Sequence, residues 1–267
     1  MEDNRYNRQS FLGPDSQRWI EQCRVGIVGL GGGGSHIVQQ LAHIGFLNYV
    51  LFDADIVSLS NLNRLIGALL ADVDKTFKIE VARRLILGLQ PDANITARPS
   101  RWQEEAELLR SCDLVFGGID SFSQRGELEV VTRRFLVPYI DVGMDVTTLP
   151  GQTPRISGQV ILSCPGYPCM HCLDFLNEKT LAREAQRYGD AGSNPQVVWA
   201  NGCLASTAVG MAMDLVTGWT GKPVEDFYLS FDGNALTMSR NHHLDYLPSA
   251  CPHFPLADVG SPTFHSI

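Results

Sequence analysis

A run of four glycines lies where a phosphate-binding loop is expected. Residues 28–35 read VGLGGGGS, and Gly29, Gly31 and Gly34 fit the G-x-G-x-x-G spacing, which lets backbone approach a phosphate at a helix N-terminus. Asp53 follows nineteen residues after Gly34, at the end of a second apolar run, where it can accept hydrogen bonds from ribose hydroxyls. These features predict a nucleotide site, for which a nicotinamide enzyme is the usual interpretation.

The segment after Asp53 favours a triphosphate instead. In DADIVSLSNLNR (53–64), Asn61 and Arg64 stand three residues apart and can face the same space. Arginine neutralises phosphate charge with a planar set of donors, and asparagine positions oxygens without adding charge. Lys75 and Lys78, at the start of a predicted helix, offer a further cation, although lysines at such positions are more often solvated.

A carboxylate is expected at the same edge of the sheet. Asp120 follows the apolar run DLVFGGI (113–119), and open α/β sheets place ligand-contacting groups after their strands. A carboxylate there could hold Mg²⁺, or it could only cap the next helix. The candidate contacts to nucleotide or magnesium are therefore Gly29, Gly31, Gly32, Gly34, Asp53, Asp55, Asn61, Arg64, Lys75, Lys78 and Asp120.

The elements that must position these residues alternate along the chain. Apolar runs predict strands at 24–30, 49–53, 95–99, 113–119, 137–143 and 158–164. Helical periodicity falls between them, at 35–46, at about 75–89, and from about 120 to 135. This alternation predicts an α/β fold with a doubly wound, mostly parallel, Rossmann-like sheet covered on both faces.

The pattern changes after Cys164. Residues 164–200 combine a cysteine cluster with a polar helix and a Gly/Ser/Asn/Pro stretch, which predicts an excursion from the sheet. An apolar helix at about 204–217 returns the chain to the core, and a hairpin turned at Asp232-Gly233 follows. We expect a C-terminal tail at about 245–267 and one domain over 1–267.

Composition narrows the functional classes. The chain has 267 residues, 44% of them hydrophobic, and a net charge of −8, which argues against nucleic acid or anionic membranes as partners. It has no apolar run that could span a bilayer and no signal-peptide pattern, so we expect a cytoplasmic protein. Seven cysteines without secretory signals favour metal or thiol chemistry over disulfides.

Six stretches, taken in order, resemble one protein family. They are RYNRQ (5–9), VGLGGGGS (28–35), DADIVSLSNLNR (53–64), KTFKIEVARR (75–84), GIDS (118–121) and CMHC (169–172). The sequence is similar to the adenylyltransferases that activate ubiquitin-like and sulfur-carrier proteins. These include the molybdopterin-synthase and thiamine-biosynthesis adenylyltransferases and the adenylation domains of ubiquitin-activating enzymes. The resemblance extends from residue 5 to about residue 240.

The resemblance implies a reaction and roles for the motif residues. ATP and Mg²⁺ would bind, the C-terminal glycine of a small β-grasp protein would be adenylated, and pyrophosphate would leave. The roles carried over by motif position are Asp53 for the ribose, Asn61 and Arg64 for the phosphates, Lys78 for the transferring phosphate and Asp120 for magnesium. Arg8 would reach the nucleotide from the partner subunit of a homodimer. The adenylate would pass to a sulfur donor or a conjugating enzyme.

The sequence departs from the family pattern at three points. Leu65 follows Arg64 where relatives often carry Gln, and the loop contains a fourth consecutive glycine. The segment before Lys78 is one residue longer than the common pattern, which leaves Lys75 as a rival phosphate contact.

The cysteines predict a zinc site. Cys169 and Cys172 form a C-x-x-C knuckle of the kind that places two thiolates on one tetrahedral zinc. The family supplies a second C-x-x-C near the C-terminus, but the corresponding stretch here is SACPHFP, with Cys251 and His253. We expect these four residues to bind zinc, with Cys164 and His171 as rival ligands. The alternative is a turn with buried thiols.

Cys203 raises the possibility of a second chemical step. Ubiquitin-activating relatives transfer the acyl group to a thiolate, and a thiol near a helix start can have a lowered pKa. The apolar helix that follows Cys203 favours buried packing over a thioester role.

Three more functions compete with adenylation of a carrier protein: a nicotinamide oxidoreductase, a related adenylyltransferase acting on a peptide or a modified tRNA base, and a non-catalytic scaffold.

Overall fold

One eight-stranded sheet forms the centre of the computed structural model, which describes residues 5–187 and 195–254. Its strands are β1 Arg24–Val28, β2 Asn48–Phe52, β3 Asn94–Arg98, β4 Leu114–Gly117, β5 Tyr139–Thr147, β6 Arg155–Ser163, β7 Tyr228–Asp232 and β8 Thr237–Arg240. Their spatial order is β3-β2-β1-β4-β5-β6-β7-β8. The sequence order reverses between β1 and β4, so a crevice forms beyond the carboxyl ends of these two strands.

The sheet is mixed. Strands β3, β2, β1, β4 and β5 pair in parallel, whereas β5 to β8 pair antiparallel. The expectation of a mostly parallel sheet therefore holds for its first half only. In that half β1, β2 and β4 are buried almost throughout, as expected for parallel strands covered on both faces.

Within the described residues, six α-helices surround the sheet. They are α1 Ser16–Gln22, α2 Gly32–Ile44, α3 Lys78–Leu89, α4 Phe122–Arg134, α5 Glu178–Arg187 and α6 Val198–Thr217. Helix α2 packs against α3 and α6, and α4 packs against α5. Crossovers between parallel strands are right-handed as a rule, and those from β1 to β2 and from β4 to β5 lead in opposite directions along the sheet. This rule places α2 and α4 on opposite faces. The predicted α/β, doubly wound class is confirmed.

Several predicted boundaries are wrong. Helix α3 begins at Lys78 rather than near Lys75, because Asp74 has a left-handed φ of 58° and Phe77 is extended. Helix α6 begins six residues before the predicted position. The hairpin turns over 233–236, after Asp232 has ended β7, and the Asp232 carboxylate accepts hydrogen bonds from two amides of that turn.

No helix in the described part of the chain is long and apolar enough to cross a lipid bilayer. Residues 188–194 of the excursion and most of the predicted tail fall outside the described residues.

Candidate active site and metal centre

A polar cavity of about 350 Å³ lies at the switch point of the sheet. The loops after β1, β2 and β4 form its walls, together with residues 100–103 after β3 and the start of α6. Of the predicted nucleotide and magnesium contacts, those that line it are Gly29, Gly31, Gly32, Asp53, Asp55, Asn61, Arg64, Lys78 and Asp120. The fold thus brings together residues that are up to 91 positions apart in the sequence.

The glycines of the loop at residues 28–35 have different surroundings. Gly29 has φ +87°, and a Cβ there would lie 2.4 Å from the Gly118 carbonyl oxygen. A Cβ on Gly32 would lie 2.3 Å from the Asn201 amide nitrogen, whereas Gly31 faces open space. Helix α2 begins at Gly32, so its first amides and its positive dipole end face the cavity. The loop can therefore accept an anion.

Gly34 has a packing role. A Cβ at this position would overlap the Gly29 carbonyl oxygen, and Gly34 does not line the cavity. Its role as a nucleotide contact stays a prediction, and in the structure its lack of a side chain lets α2 pack closely against the end of β1.

Asp53 links the end of β2 to the glycine loop. Its Oδ2 accepts a hydrogen bond from the Leu30 amide at 2.6 Å, and its Oδ1 accepts one from the Asp55 amide at 2.9 Å. Burial raises the pKa of Asp53, while nearby Lys78 and these two amides oppose that rise. Each oxygen retains a lone pair, so the carboxylate can still accept from a ribose hydroxyl.

Of the two candidate lysines, Lys78 lines the cavity. It is the first residue of α3, and its Nζ lies 2.5 Å from Asp55 Oδ2 and 4.0 Å from Asp53 Oδ1. Lys75 is exposed and does not line the cavity, because Asp74 turns the chain before α3 begins. The structure thus places Lys78, and not its rival, beside the other candidate residues.

Asn61 and Arg64 project from the loop after β2. The Asn61 side-chain oxygen accepts a hydrogen bond from the Ser58 amide at 3.0 Å. Arg64 Nη1 donates to the Ser60 carbonyl at 2.6 Å and to the Asn63 side chain at 3.0 Å. These bonds order the loop, and the other guanidinium donors, which have no hydrogen-bond partner within the described residues, can bind an anion.

Asp120 follows β4 and is exposed at the cavity wall. It does not cap α4, because the Ser121 hydroxyl does so by accepting from the Gln124 amide at 3.3 Å. Asp120 Oδ1 instead accepts from Gln196 Nε2 at 3.3 Å. The capping alternative is therefore wrong, and a carboxylate is available for a cation.

Two other predicted residues lie away from the cavity. Arg8 is exposed on the 3₁₀ helix Asn7–Leu12 and does not line the cavity of its own chain. Cys203 is exposed on α6, which contradicts the expected buried packing. Asn201 lines the cavity, and two residues rotate an α-helix by about 200°, so Cys203 lies on a different face.

Sequence reasoning missed several cavity residues. Gln196 lies just before α6 and Asn201 lies in its first turn, and Trp102 follows β3 with its buried indole N–H unpartnered among the described residues. Arg125 is 5% exposed, donates to the Asp141 carboxylate at 2.7 Å and to the Ile119 carbonyl, and lies over the Phe122 ring. The sequence does contain a signal that could have identified Arg125.

That signal is a four-residue spacing of charges on α4. Arg125, Glu129 and Arg133 share one helix face, and all three are buried. Glu129 Oε1 accepts from the Ser163 hydroxyl at 2.5 Å and from the Met170 amide at 2.9 Å. Arg133 donates to the carbonyls of Tyr167 and Pro168. A stripe of buried charge therefore anchors the cysteine-bearing segment to α4.

Cys169, Cys172, Cys251 and His253 form one cluster. The Cys169 and Cys172 sulfurs are 3.7 Å apart, Cys172 lies 3.6 Å from Cys251, and His253 Nδ1 is 3.4 Å and 3.5 Å from the first two sulfurs. Tetrahedral zinc with ordinary bond lengths separates its ligands by about 3.8 Å for S···S and about 3.6 Å for S···N. The cluster therefore matches a Cys₃His metal site.

The rival ligands are not in the cluster. Cys164 is absent from it, and the His171 ring instead stacks on His253 with centroids 5.0 Å apart. Burial raises the pKa of the Cys169 and Cys172 thiols and lowers that of His253. Neutral imidazole is the form that binds a metal, and a bound cation would favour the thiolate form of Cys169 and Cys172.

The fold and the cavity define an α/β nucleotide-binding protein, and comparisons give its family. The model of the ThiF family matches residues 4–252. The chain is 31% identical over 235 residues to the molybdopterin-synthase adenylyltransferase of Escherichia coli, which covers 85% of this chain and 87% of that protein. It is also 31% identical over 175 residues to a SAMP-activating enzyme E1 of Haloferax volcanii, covering 64% of this chain and 61% of that protein.

A solved structure shows the same fold. E. coli MccB with ATP has a TM-score of 0.73 and 19% identity, over 90% of this chain and 72% of that one. The chain belongs to the ThiF family, and the resemblance carried by its motifs is confirmed.

Proposed function

We propose that this protein uses ATP to adenylate the C-terminal glycine of a small ubiquitin-like or sulfur-carrier protein and releases pyrophosphate. The observation that carries the proposal is a single cavity that holds the glycine loop, the cations Arg64 and Lys78, and the carboxylates Asp53 and Asp120. Relatives named as molybdopterin-synthase and sulfur-carrier adenylyltransferases support it.

Charge governs the proposed reaction. A carboxylate oxygen of the glycine attacks the α-phosphorus, a new O–P bond forms, and the bond to the β-phosphate breaks. The C-terminal carboxyl has a pKa near 3.5 and is already ionised at neutral pH, so no general base is required. The barrier is the approach of two anions, which Arg64 and Lys78 lower by neutralising phosphate charge.

Asn61 and Asp53 would fix the position of the substrate. The Asn61 amide can donate to a phosphate oxygen, and Asp53 can accept from the ribose while its bond to Leu30 keeps it against the glycine loop. Asp120 would hold Mg²⁺, which would supply further positive charge at the phosphates when bound.

Further parts of the proposal concern assembly and zinc. Arg8 lies on an exposed segment held to α1 and α2 by the Gln9 side chain, so it is free to reach a neighbouring copy. We therefore expect a homodimer in which Arg8 completes the partner's site.

The Cys₃His cluster would hold Zn²⁺ and join the excursion to the C-terminal segment.

The competing functions have weaker support. A nicotinamide enzyme has no need for Asn61, Arg64 and Lys78 beside its cofactor, and the molybdopterin-synthase and sulfur-carrier relatives are named for adenylyl transfer. A thioester at Cys203 would require the acyl group to move from the cavity to a different face of α6.

Exchange of labelled pyrophosphate into ATP tests the proposal. The assay would contain the protein, Mg²⁺, and a candidate carrier that ends in Gly-Gly and is encoded beside it. We expect exchange with this carrier and none with a matched carrier that lacks the last glycine. No exchange with any candidate, together with tight binding of a nicotinamide cofactor, would contradict the proposal.

A further inference from the structure

Gln196 lies across the cavity, between its two principal walls. It is half-buried and precedes α6, where the chain returns from the excursion. Its side-chain nitrogen donates to Asp120 Oδ1 at 3.3 Å, and its main-chain carbonyl accepts from the Asn63 side-chain nitrogen, Nδ2, at 3.4 Å. One residue thus contacts both the loop after β4 and the loop after β2.

The same side chain reaches the glycine loop. Gln196 Oε1 lies 3.2 Å from the point that a Cβ on Gly32 would occupy. The glutamine amide therefore spans the crevice from the start of α2 to Asp120, and Gly32 leaves the space that it needs.

Asp120 depends on this contact for its orientation. The bond to Gln196 is the one hydrogen bond found for its carboxylate within residues 5–187 and 195–254. It uses Oδ1, so Oδ2 remains available to a cation. A carboxylate ligand that is fixed by an outer hydrogen bond loses less freedom when it binds a metal.

The excursion holds the turn that carries Asp120 at a second point. Glu184 of α5 accepts from the Phe122 and Ser123 amides at 2.7 and 2.9 Å, at the N-terminus of α4. Glu184 fixes the backbone just after Asp120, and Gln196 fixes the side chain. The described residues on both sides of 188–194 therefore contact the same short turn.

We propose that Gln196 is a positioning residue that orients the Asp120 carboxylate toward a magnesium-bound nucleotide and so links nucleotide binding to the excursion. This inference rests on the proposed function, because it assumes that ATP is the ligand of the cavity.

A double-mutant cycle on ATP affinity tests it, with isothermal titration of the full chain in Mg²⁺ and without a carrier. We expect Gln196→Ala to weaken ATP binding about tenfold, the lower range for loss of an outer-shell partner. Asp120→Ala should weaken it at least as much, and the double variant should bind no more weakly than Asp120→Ala. With EDTA in place of Mg²⁺, Gln196→Ala and wild type should bind ATP equally.

One further variant is the matched control. Gln152→Ala removes an exposed glutamine from the β5–β6 connection and should bind ATP as wild type does.

The outcomes separate the two proposals. If wild type binds ATP and the Gln196 and Asp120 effects multiply, or if the Gln196 effect persists in EDTA, the positioning role is wrong while the proposed function stands. If wild type does not bind ATP at all, the proposed function fails and this inference fails with it.

Discussion

The nucleotide cavity and the Cys₃His cluster are built in different ways. The cavity takes most of its residues from loops at the carboxyl ends of neighbouring parallel strands, so the sheet itself sets their positions. The cluster joins two irregular segments whose contacting residues are 79 and 84 positions apart in the sequence. Backbone pairing therefore preforms the cavity, whereas bonds to a metal would complete the cluster.

This difference predicts that chemistry and metal-dependent stability can be separated. A change at Asn61, Arg64 or Asp120 should alter turnover with little effect on folding, because these cavity side chains are partly or fully exposed. A change at the cluster should alter folding with little effect on the cavity, because no residue of the cluster lines it. Mutations in the cavity should therefore lower turnover and leave stability nearly unchanged, whereas mutations in the cluster should lower stability and leave the cavity nearly unchanged.

The largest effect is expected at Arg64. Arg64→Ala should lower carrier-dependent pyrophosphate exchange about 10²- to 10³-fold, as expected when a donor to the transition state is removed. Metal content should not change, and the free energy of unfolding should fall by no more than about 1 kcal/mol, for the lost bonds to Ser60 and Asn63.

Arg83→Ala is the matched control, since Arg83 is an exposed arginine on α3 with its partner Glu80 one turn away. Equal loss of exchange in the two variants would show that the effect of Arg64 is not local to the cavity.

Cys172→Ser should abolish zinc binding and lower the free energy of unfolding by about 3 kcal/mol, because a tightly bound ligand stabilises only the folded state. ATP affinity should stay within about threefold of wild type, a change of less than 1 kcal/mol. Metal analysis, urea unfolding and titration with ATP measure the three quantities. Cys164→Ser, which changes a nearby cysteine outside the cluster, should retain zinc.

Glu129→Gln tests the buried connection between α4 and the cluster. Glutamine keeps an oxygen for Ser163 and Met170 but leaves the buried Arg133 without its counter-charge. We expect a loss of about 2 kcal/mol in urea unfolding, because an unpaired buried charge is unfavourable. The partly exposed Glu127 on the same helix is the control, and an equal loss in Glu127→Gln would contradict the account.

The smallest effect concerns pH. Hydrogen bonds from the Arg84 guanidinium lower the pKa of Asp72 to about 2, against an ordinary value near 3.8. A lowered pKa stabilises the fold above the ordinary value, and this contribution is lost as the pH falls from about 4 to about 2. It amounts to about 1–2 kcal/mol, reduced because Arg84 is 47% exposed. Urea unfolding of Asp72→Asn should show a shallower decline than wild type over this range.

The cavity was the more predictable of the two regions. The glycine loop, Asp53 and Asp120 follow apolar runs in the sequence, and the carboxyl ends of parallel strands meet at one edge. Gln196 was missed because its partner Asp120 lies 76 residues away and no local pattern indicates it. For Arg125 the charge spacing on α4 is a local signal, but its contact to Asp141, 16 residues away, does not follow from that spacing. Contacts at that distance depend on the completed fold.

The cluster and α6 show two other limits of prediction from the sequence. Knuckle spacing identified Cys169 and Cys172, but the family's second C-x-x-C pattern was needed to direct attention to Cys251 and His253. The expected burial of Cys203 was wrong because α6 begins at Val198, which places Cys203 in line with the exposed Ser206 and Gly210. The start of a helix determines which face each residue occupies, and no capping signal marks this one.

The central claim is that the glycine carboxylate attacks the α-phosphorus of ATP in this cavity. Its most direct test uses a carrier with ¹⁸O in the C-terminal carboxylate, and hydroxylamine to trap the activated acyl group. Hydroxylamine attacks the acyl carbon, so the oxygen bonded to phosphorus leaves with the nucleotide. We predict AMP with one ¹⁸O from wild type and almost none from Arg64→Ala. Unlabelled AMP, or ADP with the label in inorganic phosphate, would contradict the account.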